Sequence, residues 1–316
     1  MKRRALLLSF AAAGLFISGC HPPWLRRPTA DVQSIVFPTP PTKEQIIGAI
    51  NSNSSRIYQL QSDATIRVHG FGLRGNLALE RPKRLRLRAG LLGLPGTGVD
   101  LGSNDDIFWL WFEQNRPPGV YYSRHDQFAY SPARQMIPVE PTWLIEALGV
   151  VELEPSGLHE GPFRTGPGKL EIHSRVQTGS GELTKVTVVD DQYGRILEQQ
   201  VRDPRGQVIA SARASKHRYY PQAGVTLPQH VDVKIGNDPN VPLAFSIDVG
   251  TYQINQLAGT DQLWSMPRPD GFPLIDLADP NVNPFAQAQT LRSAERYSPY
   301  EGRRNAFRPR YRRVFR

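Results

Sequence analysis

Cysteine is almost absent from this sequence. It occurs once in 316 residues, at position 20. A single cysteine cannot close an intramolecular disulfide, and it cannot supply the several thiolates of a structural zinc site. The chain must therefore be stabilised by a hydrophobic core, and it is long enough to bury one in a single large β domain.

Patterns of catalytic and metal-binding residues are also missing. The seven histidines are scattered without zinc-ligand spacing, and Gly179-Ser180-Gly181 lacks the surroundings of a nucleophile elbow. His125 and Asp126 are adjacent, and adjacent residues of a strand point to opposite faces. We therefore expect no enzymatic activity, no catalytic residues, no metal and no cofactor.

Long apolar runs are scarce, and the one at the amino terminus is short. Lys2, Arg3 and Arg4 precede an apolar stretch over 5–17, which is shorter than the roughly 20 residues of a membrane-spanning helix. The segment 17–20, Ile-Ser-Gly-Cys, resembles the lipobox of bacterial lipoproteins. The resemblance implies a signal peptide over 1–19, cleavage before Cys20, and acylation of Cys20 by fatty acids such as palmitate.

The same resemblance gives an expected location. His21 follows the cysteine, where Asp would retain a lipoprotein in the inner membrane by the best-known sorting rule. We therefore expect a protein of the cell envelope that is anchored to a membrane by its lipid, on the outer membrane and facing the periplasm.

Acidic residues are too few to balance the basic ones, and the excess is local. The net charge is +9, and loss of the three basic residues of the signal peptide leaves +6. Residues 291–316 hold nine arginines and two glutamates, so the rest of the mature chain is nearly neutral. The arginines proposed to contact a partner are Arg303, Arg304, Arg308, Arg310, Arg312 and Arg313.

Such a tail often binds nucleic acid. An exported, lipid-anchored protein rarely meets nucleic acid, so anionic lipid or polysaccharide of the envelope fits better. A solvated tail without a specific partner remains the alternative. We expect residues 256–316, which are rich in Pro and Arg, to be disordered.

The central part of the chain predicts one domain over 42–255, after a proline-rich tether over 20–41. Thr42 and Gln45 have the spacing of a capping box at the start of a helix. From Asp63 onward, apolar and polar residues alternate in short segments separated by turns that contain Gly or Asp, which is typical of antiparallel strands with one buried face. A second helix is expected over 141–148.

The predicted fold is mainly β. About a dozen antiparallel strands form one long sheet, and a sheet of that length must curl. Two helices are available to cover its concave face. The expected architecture is therefore one curved antiparallel sheet covered by two helices.

Residues 84–110 resemble the LolA/LolB superfamily. Arg-Leu-Arg-Leu-Arg at 84–88 and the segment 89–101 look like its third and fourth strands, and 104–110 looks like the next hairpin. The strand and helix order is similar across about 42–255. The resemblance implies an open half-barrel whose apolar cavity binds the acyl chains of lipoproteins, and it implies that the loop joining the third and fourth strands contacts the membrane through leucine.

In this chain the corresponding loop contains Leu91, Leu92 and Leu94 between glycines. Apolar loop tips are unusual because loops normally run through water. We predict contact of these leucines with a membrane or partner, and the alternative is a loop folded back over the core. The residues expected to line the cavity, or to pack in the core around it, are Phe108, Trp109, Trp111, Trp143, Leu144 and Leu148.

The predicted function is non-enzymatic. A lipid-anchored envelope protein would bind acyl chains or a lipidated protein client in an apolar cavity, in lipoprotein or lipid transfer to the outer membrane. The alternative is a structural or assembly lipoprotein whose sheet is filled by its own side chains and whose basic tail binds an anionic envelope polymer.

Overall fold

A computed structural model of the chain describes residues 33–282, except for 69–70, 91–97, 114–116, 136, 180, 237–242 and 260. Several predictions fall outside these residues. They concern the signal peptide over 1–19, Cys20, Leu91, Leu92, Leu94 and the arginines of the tail.

One large sheet dominates the fold. Within the described residues its strands are β1 (Gln59–Val68), β2 (Phe71–Glu80), β3 (Arg84–Gly90), β4 (Val99–Ser103), β5 (Ile107–Phe112), β6 (Val120–Arg124), β7 (Leu158–Gly166), β8 (Lys169–Thr178), β9 (Gly181–Asp190), β10 (Ile196–Arg202), β11 (Val208–Tyr220), β12 (Val225–Ile235), β13 (Leu243–Val249), β14 (Gln253–Ile254) and β15 (Leu274–Asp276).

The sheet is built from two antiparallel halves joined at β1 and β13. The strand order is β15-β6-β5-β4-β3-β2-β1-β13-β12-β11-β10-β9-β8-β7, and the short β14 also pairs with β1. β15 and β6 are parallel, whereas the other described pairs are antiparallel. The sheet is curved and not closed, so the predicted open half-barrel is confirmed.

Period-2 alternation explains which face of the sheet is buried. Leu85 and Leu87 of β3 are buried on the face that we call the inner face, and Leu101 of β4 pairs with Leu87 on that face. Arg86 lies between Leu85 and Leu87, and Asp100 directly precedes Leu101. Both side chains therefore point to the opposite, outer face. The inner face carries the main hydrophobic core.

Helix α1 (Lys43–Ser54) begins with the predicted capping box. The Thr42 side chain accepts from the Gln45 amide at 3.3 Å, and Gln45 Oε1 accepts from the Thr42 amide at 2.9 Å. Its buried residues Ile46, Ile47 and Ile50 pack against a cluster that includes residues of β8 and β9. The helix therefore covers the end of the sheet formed by its second half.

Shorter helices lie between β6 and β7. A single-turn helix α2 (His125–Phe128) is followed by a 3-10 turn (Pro132–Gln135) and by α3 (Trp143–Ala147). The second predicted helix is α3, and it is followed by Gly149 with φ 94°. Trp143, Leu144 and neighbouring residues of α3 are buried in the main core, so this helix covers the middle of the inner face.

The folded domain is longer than the sequence predicted. After β14 the chain forms a second 3-10 turn (Asp261–Trp264) and then β15, which extends the sheet beside β6. Trp264 and Leu277 are buried. The predicted disorder of 256–316 is therefore wrong as far as residue 282, because these apolar side chains find surface to bury on the first half of the sheet.

The predicted tether also ends earlier than expected. Phe37 is buried, and the amides of Val36 and Phe37 both donate to the Gln192 carbonyl, at 2.8 and 2.9 Å. Residues from Gln33 onward are thus held on the domain. The strand β7 was not predicted, since its mostly exposed sequence has little apolar alternation.

Candidate functional site: an apolar cavity under α3

An apolar cavity of about 160 Å³ lies between the inner face and α3. The strands line it with Ile66, Val68, Leu87, Val99, Leu101, Phe108, Trp109, Leu110, Phe112, Ile235, Leu243 and Phe245, and the covering segments with Ile137, Val139, Glu140, Pro141, Trp143, Leu144 and Leu277. Glu140 is the one charged residue among these described residues. The site can therefore hold an apolar group and offers almost no polar recognition.

The cavity lies at one end of the strands. Val68, Phe112 and Ile235 are at or near the ends of their strands, and Val99 and Leu243 are the first residues of theirs. Leu243 is 37% exposed, and Phe112 is only half-buried. Partly exposed apolar side chains at a cavity edge indicate a rim that faces either solvent or another apolar phase.

Helix α3 covers the cavity with its amino-terminal end. Trp143 and Leu144 line the cavity, whereas Glu146 is held away from it by Lys185, whose Nζ lies 2.7 and 2.9 Å from the two carboxylate oxygens. Gln199 Nε2 also donates to the Glu146 carbonyl at 2.6 Å. The Thr142 side chain makes no capping hydrogen bond. Side-chain hydrogen bonds thus fix the carboxyl-terminal end of α3, whereas the side chains at its amino-terminal end make apolar contacts over the cavity.

The aromatic strand β5 divides its side chains between the two faces. Leu110 pairs with Leu101 and Phe112 with Val99, and these four side chains line the cavity. Trp109 pairs with Gly102 instead, in the alternate register. The side chains of Phe108, Leu110 and Phe112 therefore share the inner face.

The two tryptophans of β5 point away from the cavity. The Trp109 indole donates to Asp100 on the outer face, although the residue borders the cavity along the strand. Trp111 does not line the cavity, and its ring packs edge-on against Phe272 with centroids 5.4 Å apart. Trp111 is therefore not a lining residue, whereas Trp109 borders the cavity although its indole points to the outer face, because strand alternation admits only one of the two aromatic sets to each face.

Leu148 is also not a lining residue. It is fully buried in the main core behind α3. Of the predicted set, Phe108, Trp109, Trp143 and Leu144 border the cavity. Sequence reasoning missed Val99, Leu101 and Leu110, although their alternation in phase with Phe108 was the signal that could have found them.

The outer face beneath β3 to β5 is sealed by a polar cluster. Arg86 forms an ion pair with Asp100 through two hydrogen bonds, of 2.8 and 2.5 Å, and both side chains are buried. Arg86 Nη1 also donates to the carbonyls of Leu263 and Ser265, at 2.8 and 2.6 Å. The carboxyl-terminal segment is thereby tied across the back of the cavity wall.

The leucine loop itself lies outside the described residues, but its flanks do not. The segment 91–97 joins β3 to β4, and Val99 at the start of β4 lines the cavity. The predicted contact of Leu91, Leu92 and Leu94 with a membrane stays a prediction.

The described residues contain little that suggests other chemistry. His125 Nε2 lies 2.9 Å from the Asn104 carbonyl, whereas Asp126 pairs with Arg124, so the two do not act on a common point. Across the described part of the chain, no three His, Cys, Asp or Glu side chains are placed to share a metal ion. The helices within these ranges include none with the length and apolarity to cross a membrane.

No family model matches the chain, and no curated protein matches it. Solved structures of similar fold include a domain described as an outer membrane lipoprotein-sorting protein from Vibrio parahaemolyticus, at 8% identity and a TM-score of 0.47 over 69% of this chain and 95% of that one. A DUF1329 family protein from Desulfovibrio piger has 12% identity and a TM-score of 0.43 over 70% and 95%. A LolA superfamily protein from Nitrosomonas europaea has 8% identity and a TM-score of 0.41 over 70% and 97%.

Proposed function

We propose that this protein binds an acyl chain, either of a lipid or of a lipidated protein, in the cavity under α3. The observation that carries this proposal is the cavity itself, a space bordered by eighteen apolar residues and Glu140. Binding is the reversible removal of apolar surface from water, worth about 25 cal/mol per Å². No covalent step is involved, and the proposed activity is non-enzymatic.

The cavity is small for a whole acyl chain. A dry apolar cavity of about 150 Å³ accepts a molecule such as benzene, and typical ligand pockets are about 300–1,000 Å³. At about 160 Å³ the cavity admits only a short part of an acyl chain. Displacement of Trp143 and Leu144 at the amino-terminal end of α3 would lengthen it, and the Glu146–Lys185 pair would keep the other end in place.

The proposed setting is the bacterial envelope. The lipobox-like segment at 17–20 implies acylation of Cys20, which would place the cavity near a membrane. The Leu91, Leu92 and Leu94 loop would then contact the bilayer at the cavity rim. The test of anchoring is Cys20→Ser in the full chain: we expect loss of processed, membrane-bound protein, and a fully processed variant that stayed on the membrane would contradict the assignment.

The cavity is tested by filling it. Leu110→Trp places a large side chain in the cavity, and the matched control Trp111→Phe changes the neighbouring residue on the outer face. We expect the first variant to bind a fluorescent long-chain fatty acid at least ~10-fold more weakly, since several methylene groups at ~0.8 kcal/mol each lose their site. The control should bind normally. Equal binding by both variants would show that the acyl chain does not enter this cavity.

A further inference from the structure

A second cleft, of about 220 Å³, lies at the opposite end of the strands from the apolar cavity. It lies between the last turns of α1, the β9–β10 turn and the β11–β12 turn. Polar side chains border much of it, among them Gln33, Asn53, Arg56, Arg195, His217 and Thr226. The border of this cleft is therefore much more polar than that of the apolar cavity, which includes one charged residue.

Arg195 is held in a fixed orientation on one wall. Its guanidinium lies over the Tyr193 ring, 4.3 Å from the centroid, and its Nε donates to Gln33 Oε1 at 2.9 Å. Gln33 is itself fixed, because its Nε2 donates to the Tyr193 carbonyl at 3.1 Å. These contacts use one edge of the guanidinium, and in the described parts of the chain its two terminal nitrogens have no hydrogen-bond partner.

Arg56 approaches from the end of α1. Its Nη1 donates to the Gly224 carbonyl at 2.8 Å, and Gly224 leaves room for it because a Cβ there would crowd the same nitrogen. Neither Arg56 nor Arg195 forms an ion pair with any carboxylate of the described residues. In the β9–β10 turn, the Asp190 carboxylate accepts hydrogen bonds from the amides of Gln192 and Tyr193. Two cations therefore border the cleft without a direct ion pair to a described carboxylate, although the Asp190 carboxylate is close enough to act on His217.

Thr226 supplies an independent sign of a missing ligand. Only 9% of the residue is exposed, and its hydroxyl is buried without a hydrogen-bond partner among the described residues. Its backbone groups are already satisfied by Asn53, through hydrogen bonds of 2.7 and 3.1 Å. A buried hydroxyl that is left unpaired destabilises the fold, so a water molecule or a ligand bound in the cleft would stabilise Thr226 by supplying the missing partner.

His217 completes the border of the cleft. Its Nε2 donates to the Ile196 carbonyl at 2.8 Å, which leaves Nδ1 without a partner in the described ranges. Burial lowers the pKa of His217, and the neighbouring Arg195 lowers it further, against the raising effects of the Ile196 carbonyl and of the Asp190 carboxylate.

We propose that this cleft binds a phosphate group. Arginine forks are suited to phosphate oxygens, and here they arrive from two different elements while a hydroxyl arrives from a third. A tetrahedral anion can use donors from several directions, whereas a planar carboxylate is satisfied by one fork. The group belongs either to free phosphate or to the headgroup of a phospholipid, since both offer the same oxygens.

The test is a calorimetric titration of the full chain with inorganic phosphate. The protein is kept in a detergent that contains no phosphate group. We expect saturable binding that is weakened at least ~10-fold by Arg195→Gln, by Arg56→Gln and by Thr226→Val, the loss typical of one hydrogen bond to a charged group. Arg213→Gln is the control, because Arg213 is an exposed arginine paired with Glu198 outside the cleft. The arginines of the tail add the same nonspecific background to every variant.

A competition experiment distinguishes the two sources. Displacement of phosphate by a short-chain phosphatidic acid, and not by a short-chain phosphatidylcholine, would assign the headgroup of an anionic phospholipid. Binding of phosphate that neither lipid displaces would assign the free ion. Absence of saturable binding, or binding that is unchanged in Arg195→Gln and Arg56→Gln, would overturn the proposal without bearing on the acyl cavity.

Discussion

The indole Nε1 of Trp109 donates a hydrogen bond of 3.0 Å to Oδ1 of Asp100, and both side chains are buried on the outer face of the sheet. Gly102 makes this contact possible, because a Cβ there would overlap the indole ring. Trp109→Phe removes the bond and leaves one acceptor of Asp100 less satisfied, so we expect a loss of about 1–3 kcal/mol in the free energy of unfolding.

Acyl binding is the second readout of that variant. The indole lies on the face opposite the cavity, so the affinity for a fluorescent fatty acid should stay within about twofold of the wild type. A large loss of affinity in a variant that unfolds normally would show that Trp109 faces the ligand after all.

The buried Arg86–Asp100 pair predicts a larger effect. The side chains of Arg86 and Asp100 are 7% and 4% exposed. Removing one partner of a buried pair typically costs about 3–5 kcal/mol. Without Arg86, the Asp100 carboxylate keeps the Trp109 indole and the longer contact of 3.5 Å to Arg88. We expect Arg86→Met to lose that much stability in urea denaturation, and we expect amides near Leu263 and Ser265 to exchange faster with deuterium. Arg213→Met, which breaks an exposed pair with Glu198, should cost at most about 1 kcal/mol.

The leucine loop is tested by adding charge to it. If Leu91, Leu92 and Leu94 contact the bilayer, changing all three to Glu should reduce lipid or client transfer, with up to about 5 kcal/mol of insertion energy at stake. The melting temperature should hardly change. A destabilised triple variant with normal transfer would mean that the loop packs on the sheet.

Two truncations separate the carboxyl-terminal fold from the basic tail. Deleting 283–316 should leave the melting temperature unchanged and weaken binding to anionic vesicles in a salt-dependent way. Deleting 261–316 also removes Trp264 and Leu277, which are 6% and 1% exposed. Burial of these two side chains contributes about 3–6 kcal/mol, so the longer deletion should strongly destabilise the domain. Equal stability of the two truncated proteins would contradict the role given to β15.

His217 predicts a dependence of stability on pH. Its pKa is lowered in the folded protein by burial, so the unfolded chain takes up a proton more readily as the pH falls through about 6.5. Folding therefore loses stability below that pH and gains nothing from His217 above it. In phosphate-free buffer, His217→Gln should lose less melting temperature than the wild type between about pH 7.5 and about pH 5.5. An identical loss in both proteins would show that His217 protonates freely in the fold.

Local sequence patterns were sufficient for the class of fold. Alternation along β1 and β3 and the capping box at Thr42 are short-range signals, since each arises from residues a few positions apart. They predicted one curved antiparallel sheet and both principal helices, and the resemblance at 84–110 added the open half-barrel. The weakly patterned β7 and the three-residue β15 were not predicted, because pairing with neighbouring strands, and not their own sequence pattern, holds them in the sheet.

The site depended on information that no local pattern contains. The alternation of β5 separates Phe108 from Trp109, but it does not say which set faces the helix. Pairing with β4 decides this, because Gly102 accepts the Trp109 ring on the outer face while Leu101 and Leu110 meet on the inner one. The sequence by itself predicted a leader at the amino terminus, and it determined a mainly β domain without an intramolecular disulfide and a basic carboxyl-terminal segment. Only the tertiary structure brought Phe245 of β13 and Trp143 of α3 to one cavity, because contacts between residues so far apart arise from the pairing of β1 with β13, which joins the two halves of the curved sheet.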